Sequence, residues 1–138
     1  MGMKIRPLTD TFAVSPQIRT KDIAAAAAQG YRAIINNRPD GEGWGQLKAA
    51  DIEAEAKAHG LSYTHIPVSL RGLAPEQVGQ MIAAQEAAEG PILAFCNTGT
   101  RSSILWALSQ AGKIPAEEII EAAAKAGYNV SNLRAHLG

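Results

Sequence analysis

Between Ile92 and Ser103 the chain reads Ile-Leu-Ala-Phe-Cys-Asn-Thr-Gly-Thr-Arg-Ser-Ser, an apolar run that ends on the single cysteine of the sequence. Cys96 offers a nucleophilic sulfur, and the residues after it are polar and small. The apolar run Ile92 to Phe95 fits a strand buried on both faces of a parallel sheet, and a helix is expected from Ser102 to Ala111, stopped by Gly112. A strand, tight loop and helix in that order set Cys96–Arg101 at the carboxyl edge of the sheet, where open α/β folds keep their sites. The same order aims the N–H groups of the loop and of the first helical turn at one point, which makes a nest for an anion. Gly99 lets the loop turn back without a Cβ clash. Arg101 can present a planar fork of donors to a tetrahedral oxyanion. The helix N-terminus and the arginine both favour thiolate over thiol. Ser102 could donate to the sulfur and stabilise it as a leaving group. A lone cysteine after an apolar strand is commonly a small buried hydrophobe. Asn97, Thr98, Gly99, Thr100, Arg101 and Ser102 are out of place in a core and natural around an anion, so the functional reading is preferred.

The pattern Cys-x-x-Gly-x-Arg-Ser resembles two signatures, that of the protein tyrosine phosphatases and that of the active loop of single-domain rhodaneses. The phosphatase signature places five residues between Cys and Arg, usually with His before the Cys. Here four intervene and Phe95 holds the His position. Four is the rhodanese-like spacing, so the loop by itself leans towards sulfur transfer. The rest of the chain leans the other way. Phe12-Ala13-Val14-Ser15 with Gln17-Ile18, Ile35 to Glu42 (INNRPDGE), His65-Ile66-Pro67-Val68 and Leu105-Trp106-Ala107-Leu108 together resemble one bacterial family, the phosphatase-like domain of β-lactamase-hydrolase-like proteins. The likeness runs over nearly the full length, and the family shares the shortened loop. It implies a dual-specificity-phosphatase-like fold, a small anionic or phosphorylated substrate, and no cofactor or metal. It also points to a separate sulfide-related protein of metallo-β-lactamase fold as a partner.

A cysteine phosphatase needs an acid to protonate the leaving oxygen. Asp40 is the first candidate, because it follows a strand that should end on the same sheet edge as Cys96, and Glu42 is the second. The competing reading of Asp40 is a turn in which its carboxylate caps the backbone of Glu42 or Gly43. The loop after Pro67 (Val68-Ser69-Leu70-Arg71-Gly72) carries no carboxylate. Arg38 is either a second anion ligand, the preferred reading, or a surface charge, and Arg71 has weaker grounds for reaching the pocket. Asn97, Thr98, Gly99, Thr100 and Ser102 line the substrate site. His65 and Trp106 are expected to be structural, and Asn36 and Asn37 to support the active loop from behind. Three functions stay open: a phosphatase-like hydrolase, a sulfurtransferase that forms a persulfide on Cys96, and an anion-binding module without catalysis.

The elements that would hold these residues alternate between strand and helix. Strands are expected at Phe12–Val14, Tyr31–Asn36, Leu61–Pro67 and Ile92–Phe95. Beside the helix after the active loop, helices are expected at Lys21–Gln29 behind a Thr20 cap, at about Gln46–Ala58, from Pro75 to about Glu89, at Pro115–Ala126, and at Val130–Leu137 behind Asn129. Strands separated by such helices imply right-handed crossovers and one three-layer α/β/α domain over 1–138, with a mostly parallel sheet of four or five strands.

With 138 residues the chain can bury one sizeable core. Zero formal net charge and 5% aromatic residues argue against a nucleic-acid surface. No apolar stretch approaches the ~20 residues of a membrane span, and no apolar region follows Lys4 and Arg6, so a cytoplasmic location without a secretory leader is expected. One cysteine permits no internal disulfide, and His59, His65 and His136 have no metal-ligand spacing.

Overall fold

Ile92–Phe95 is buried along its whole length and lies at the centre of a five-stranded sheet. The computed structural model describes residues 4–138. In chain order the elements are β1 (Arg6–Pro7), β2 (Phe12–Ser15), α1 (Thr20–Ala28), β3 (Ala33–Asn36), α2 (Ala49–Ala58), β4 (Ser62–His65), α3 (Pro75–Ala87), β5 (Ile92–Phe95), α4 (Thr100–Ser109), α5 (Ala116–Lys125) and α6 (Arg134–Leu137), the last preceded by a 3₁₀ turn at Ser131–Leu133. The strand order is β1-β2-β5-β3-β4. All neighbours run parallel except β1, which pairs antiparallel with β2.

Alternation along the strands splits the core in two. Ala13, Ile34, Leu93 and Phe95 face Ile18, Ile23, Ala26, Ile52 and Ala56, so α1 and α2 cover one side. Val14, Ile35 and Ala94 face Met81, Leu105, Trp106, Ile119 and Ala123, so α3, α4 and α5 cover the other. The change of side follows from the strand order. The chain moves outward from β2 to β3 to β4 and then back to β5, and crossovers of one hand must then switch faces. The expected three-layer α/β/α architecture is thus present.

The register pairs Ser15 and Asn36 with Phe95, and His65 with Asn36. Four loops therefore leave the sheet at one edge, after Ser15, Asn36, His65 and Phe95.

Several boundaries differ from the expectation. Thr20 is the first residue of α1 rather than its cap, and the Asp22 carboxylate accepts the Arg19 N–H at 2.8 Å in its place. α2 starts at Ala49, not Gln46, because Gln46 ties a turn: its Oε1 accepts the N–H groups of Glu42 and Gly43, and its Nε2 donates to the Pro39 carbonyl. β1 was not expected at all; two residues, one of them proline, carry no strand pattern. The segment behind Asn129 is one 3₁₀ turn and one α turn, with Asn129 Oδ1 accepting from the N–H and Oγ of Ser131. Among the described residues no helix is long and apolar enough to cross a membrane.

Candidate active site

The shape of the loop after β5 is set by where its carbonyls are tied. The Asn97 carbonyl accepts the Gln17 N–H at 3.1 Å. The Thr98 carbonyl accepts the Tyr128 hydroxyl at 2.9 Å. The Gly99 carbonyl accepts both the N–H and the Oγ of Ser103, at 2.9 and 2.8 Å. A trans peptide is planar, with its C=O and N–H pointing in opposite directions. Each of these ties therefore turns the N–H of the following residue, Thr98, Gly99 or Thr100, away from the carbonyl's partner, and the Thr100 N–H lies 3.4 Å from Thr98 Oγ1. The Gly99 N–H lies on the Cys96 sulfur at 3.1 Å. Gly99 has φ of +94°, and a Cβ there would collide with the Tyr128 hydroxyl, so both conformation and space require glycine.

Cys96 is fully buried at the end of β5, and α4 begins four residues later. Its sulfur thus sits beneath the first turn of a ten-residue helix, where orphan N–H groups and the helix dipole favour negative charge. The Thr98 and Thr100 side chains are exposed, with the Thr98 hydroxyl donating to Thr100 Oγ1 at 2.9 Å; the Asn97 side chain is exposed as well.

Arg101 is held by a two-pronged clamp. Its Nη1 donates to Glu42 Oε2 at 2.7 Å and to the Val68 carbonyl at 2.6 Å, and its Nη2 donates to Glu42 Oε1 at 2.9 Å. Arg38 shares the same carboxylate, with Nε on Glu42 Oε1 at 3.0 Å and Nη1 on Gln17 Oε1 at 3.0 Å. Glu42 is held below the ordinary carboxylate range, chiefly by the Arg101 hydrogen bonds, with Arg38 adding and partial burial opposing. Arg101 is held above its ordinary value, first by its hydrogen bonds to Glu42 against desolvation, with the nearby Cys96 sulfur acting in the same direction. Arg38 is buried rather than a surface charge.

The structure assigns several sequence candidates other contacts. Asp40 is exposed and its Oδ1 accepts the Ala49 N–H at 2.8 Å, so it caps α2 and not the backbone of Glu42 or Gly43. The Ser102 hydroxyl was expected to reach the sulfur; it donates instead to Asn37 Oδ1 at 2.8 Å. Asn37 in turn binds the Phe95 carbonyl through its N–H and the Ile66 carbonyl through its Nδ2, which locks β5, α4 and the end of β4 together as the support role requires. Asn36 acts one step further back, accepting the Arg38 N–H. His65 Nε2 meets the Arg38 carbonyl at 3.0 Å, and Trp106 is core, 6.4 Å from Phe12 between ring centres. Arg71 is exposed in the turn Ser69–Gly72. Gln17, the Val68 carbonyl and Tyr128 had no site role in the sequence reading. Each acts through a contact far along the chain, for which spacing supplies no signal.

Comparison with known proteins gives a consistent picture. Residues 4–113 match the family model described as beta-lactamase hydrolase-like protein, phosphatase-like domain. A beta-lactamase hydrolase-like protein of Xylella fastidiosa is 34% identical over 119 residues, 85% of this chain and 28% of the relative. One from Agrobacterium fabrum is 32% identical over 130 residues, 93% of this chain and 30% of the relative. The chain therefore spans less than a third of the length of these curated relatives. The crystal structure of a candidate phosphatase from Neisseria meningitidis superposes with a TM-score of 0.84 at 36% identity, covering 98% of this chain and 96% of the other. The active form of Tk-PTP superposes at 0.71 with 16% identity, covering 97% and 92%, and there the likeness is of fold: the sheet and helices are those of the tyrosine and dual-specificity phosphatases.

Proposed function

This chain belongs to the family of phosphatase-like domains of beta-lactamase hydrolase-like proteins, and we propose that it is a hydrolase of phosphoryl compounds with Cys96 as nucleophile. The observation that carries this reading is the cradle itself: a buried sulfur with a loop N–H on it, in a loop whose carbonyls are tied to other segments, with a clamped guanidinium at the start of α4. A phosphoryl group seated there has its oxygens bound by the N–H groups of Thr98, Gly99 and Thr100, with the exposed Asn97 at the rim, and by Arg101; Ser102 supports the loop from behind through Asn37. The sulfur attacks phosphorus, the S–P bond forms as the P–O bond breaks, and the leaving group departs with the electron pair. Water then attacks the phosphocysteine, giving up a proton to solvent and returning the thiolate. The donors act on the charge that spreads over the equatorial oxygens in the transition state, where such fixed groups are most effective. Arg38 serves by holding Glu42, and through it Arg101.

A second reading is favoured by two observations: four residues between Cys96 and Arg101, and no carboxylate in the loop Val68-Ser69-Leu70-Arg71-Gly72. In sulfur transfer the thiolate takes the outer sulfur of thiosulfate, an S–S bond forms, sulfite leaves with the electron pair, and an acceptor thiol removes the sulfur. No proton donor is needed. A sulfide-related partner would then fit.

Aryl phosphate hydrolysis and thiosulfate-to-cyanide transfer, each with wild type and Cys96→Ser and with intact-mass detection, separate the readings. Phosphate release that vanishes in the variant supports the hydrolase. A one-sulfur mass gain on wild type without phosphate turnover replaces it with the transferase. Inactivity in both leaves an anion-binding module.

A further inference from the structure

We infer that the phosphoryl donors turned over here are those whose leaving group departs as a stable anion, acyl phosphates foremost, and not alkyl phosphate monoesters; the inference rests on the phosphatase reading above. The site opens where residues 16–19, 37–48, 66–74 and 96–99 leave the sheet, with residues 126–133 packed behind the loop through Tyr128. These segments contain two carboxylates, Asp40 and Glu42, and no other. Glu42 has both oxygens on guanidinium groups and is held below the ordinary carboxylate range, so it has no proton to give near neutral pH. Asp40 has its Oδ1 on the Ala49 N–H at the start of α2.

The hydroxyl and imidazole groups nearby are also committed. Tyr128 donates to the Thr98 carbonyl and is pushed up, chiefly by burial, which makes it a poorer acid still. Ser102 donates to Asn37, and His65 Nε2 meets the Arg38 carbonyl. Among the described residues at this edge Asp40 is the one carboxylate not held between cations, and its recorded tie is to the start of α2 and not to the loop around Cys96.

The chemical consequence falls on the bond that breaks. When Cys96 attacks an acyl phosphate, the S–P bond forms and the carboxylate leaves with the P–O electron pair, as a group whose conjugate acid has a pKa near ~4. No proton is required. An alkyl monoester would have to expel an alkoxide, and the positioned acid it lacks is worth roughly 10²–10⁴-fold.

The test is kcat/KM for benzoyl phosphate, 4-nitrophenyl phosphate, phenyl phosphate and glycerol phosphate, with wild type, Asp40→Asn and Cys96→Ser. The last variant sets the background for spontaneous acyl phosphate hydrolysis. Asparagine keeps an oxygen for the Ala49 N–H, and circular dichroism checks that the fold is retained. We expect Cys96-dependent rates to fall along the series, with benzoyl phosphate at least ~10²-fold above glycerol phosphate, and the Asp40→Asn profile to overlay wild type. Glycerol phosphate within about tenfold of benzoyl phosphate, or an Asp40→Asn enzyme that loses the ester substrates while keeping the acyl one, overturns the inference and leaves the phosphatase reading intact. Absence of Cys96-dependent phosphate release from every donor overturns the phosphatase reading itself.

Discussion

Replacing Glu42 with glutamine removes one negative charge from between two arginines and leaves the shape almost unchanged. The side chains of Arg101 and Arg38 are only 11% and 10% exposed, and that of Glu42 is 17% exposed. Breaking a fully buried ion pair by removing one partner costs about 3–5 kcal/mol. Residual solvent contact lowers this, so about 3 kcal/mol is expected here. With an unfolding entropy of about 2.1 cal/mol/K per residue, a chain of this size loses roughly 10 °C in melting temperature. The pH dependence has a definite sign. Because the folded carboxyl lies below its unfolded value, its contribution is fully present above the ordinary carboxylate range near ~4.3 and is lost as pH falls through the depressed folded value. The gap between wild type and Glu42→Gln should be constant near neutrality and close in acid. Thermal melts of both proteins from neutral pH into acid read this directly. Adding Arg101→Met alone and with Glu42→Gln completes a double-mutant cycle whose coupling reports the pair. Melting within a degree or two of wild type at neutral pH, or a gap that does not close in acid, would refute the clamp as a stabilising element.

Tyr128→Phe leaves the Thr98 carbonyl without its donor, and kcat/KM for an aryl phosphate should drop about tenfold, with slower alkylation of Cys96 by iodoacetate. Gly99→Ala combines left-handed backbone with a collision against Tyr128; it should lose activity and at least about 1–3 kcal/mol of stability, read from urea unfolding. Trp44 and Leu70 are 104% and 82% exposed and stand two residues from Glu42 and Val68, the two groups that hold Arg101. Trp44→Ala and Leu70→Ala should raise KM for benzoyl phosphate while melting within about 0.5 kcal/mol of wild type. Leu93→Ala, in the fully buried centre of β5, should cost about 2–5 kcal/mol in urea unfolding.

The strand, loop and helix around Cys96 could be read from the chain because their signals are local. Four apolar residues, a polar turn with glycine and a helical stretch follow one another between Ile92 and Ala111. Four strands of the sheet followed from the same logic, each bounded by glycine, proline or a helix, whereas the two-residue β1 did not. What spacing could not reveal was polar contact across the fold. Glu42 was visible as a spare acid, but only the meeting of residues 42 and 101, 59 positions apart, makes it a clamp. Ser102 lay near the sulfur in the local pattern, yet a buried amide oxygen 65 positions away accepts its hydrogen bond. Helix starts were missed for a related reason. Asp22 and Asp40 supply capping oxygens from three and nine residues away from the N–H groups they accept, and Gln46, expected near the start of a helix, ties off a turn instead.

The carbonyls of the active loop are tied at one end to residue 17 and at the other to residue 128. This has a meaning in time as well as in space. During synthesis from the N-terminus the strands that flank Cys96 are complete once residue 95 has emerged, but the hydroxyl that turns the Thr98 peptide is added only 30 residues after it. A nascent chain paused between those points would carry the thiol without its finished cradle. Because Tyr128 also lies beyond the matched residues 4–113, a fragment cut at that boundary would contain every strand but lose α5 from the core and the tie that shapes the turn after Cys96.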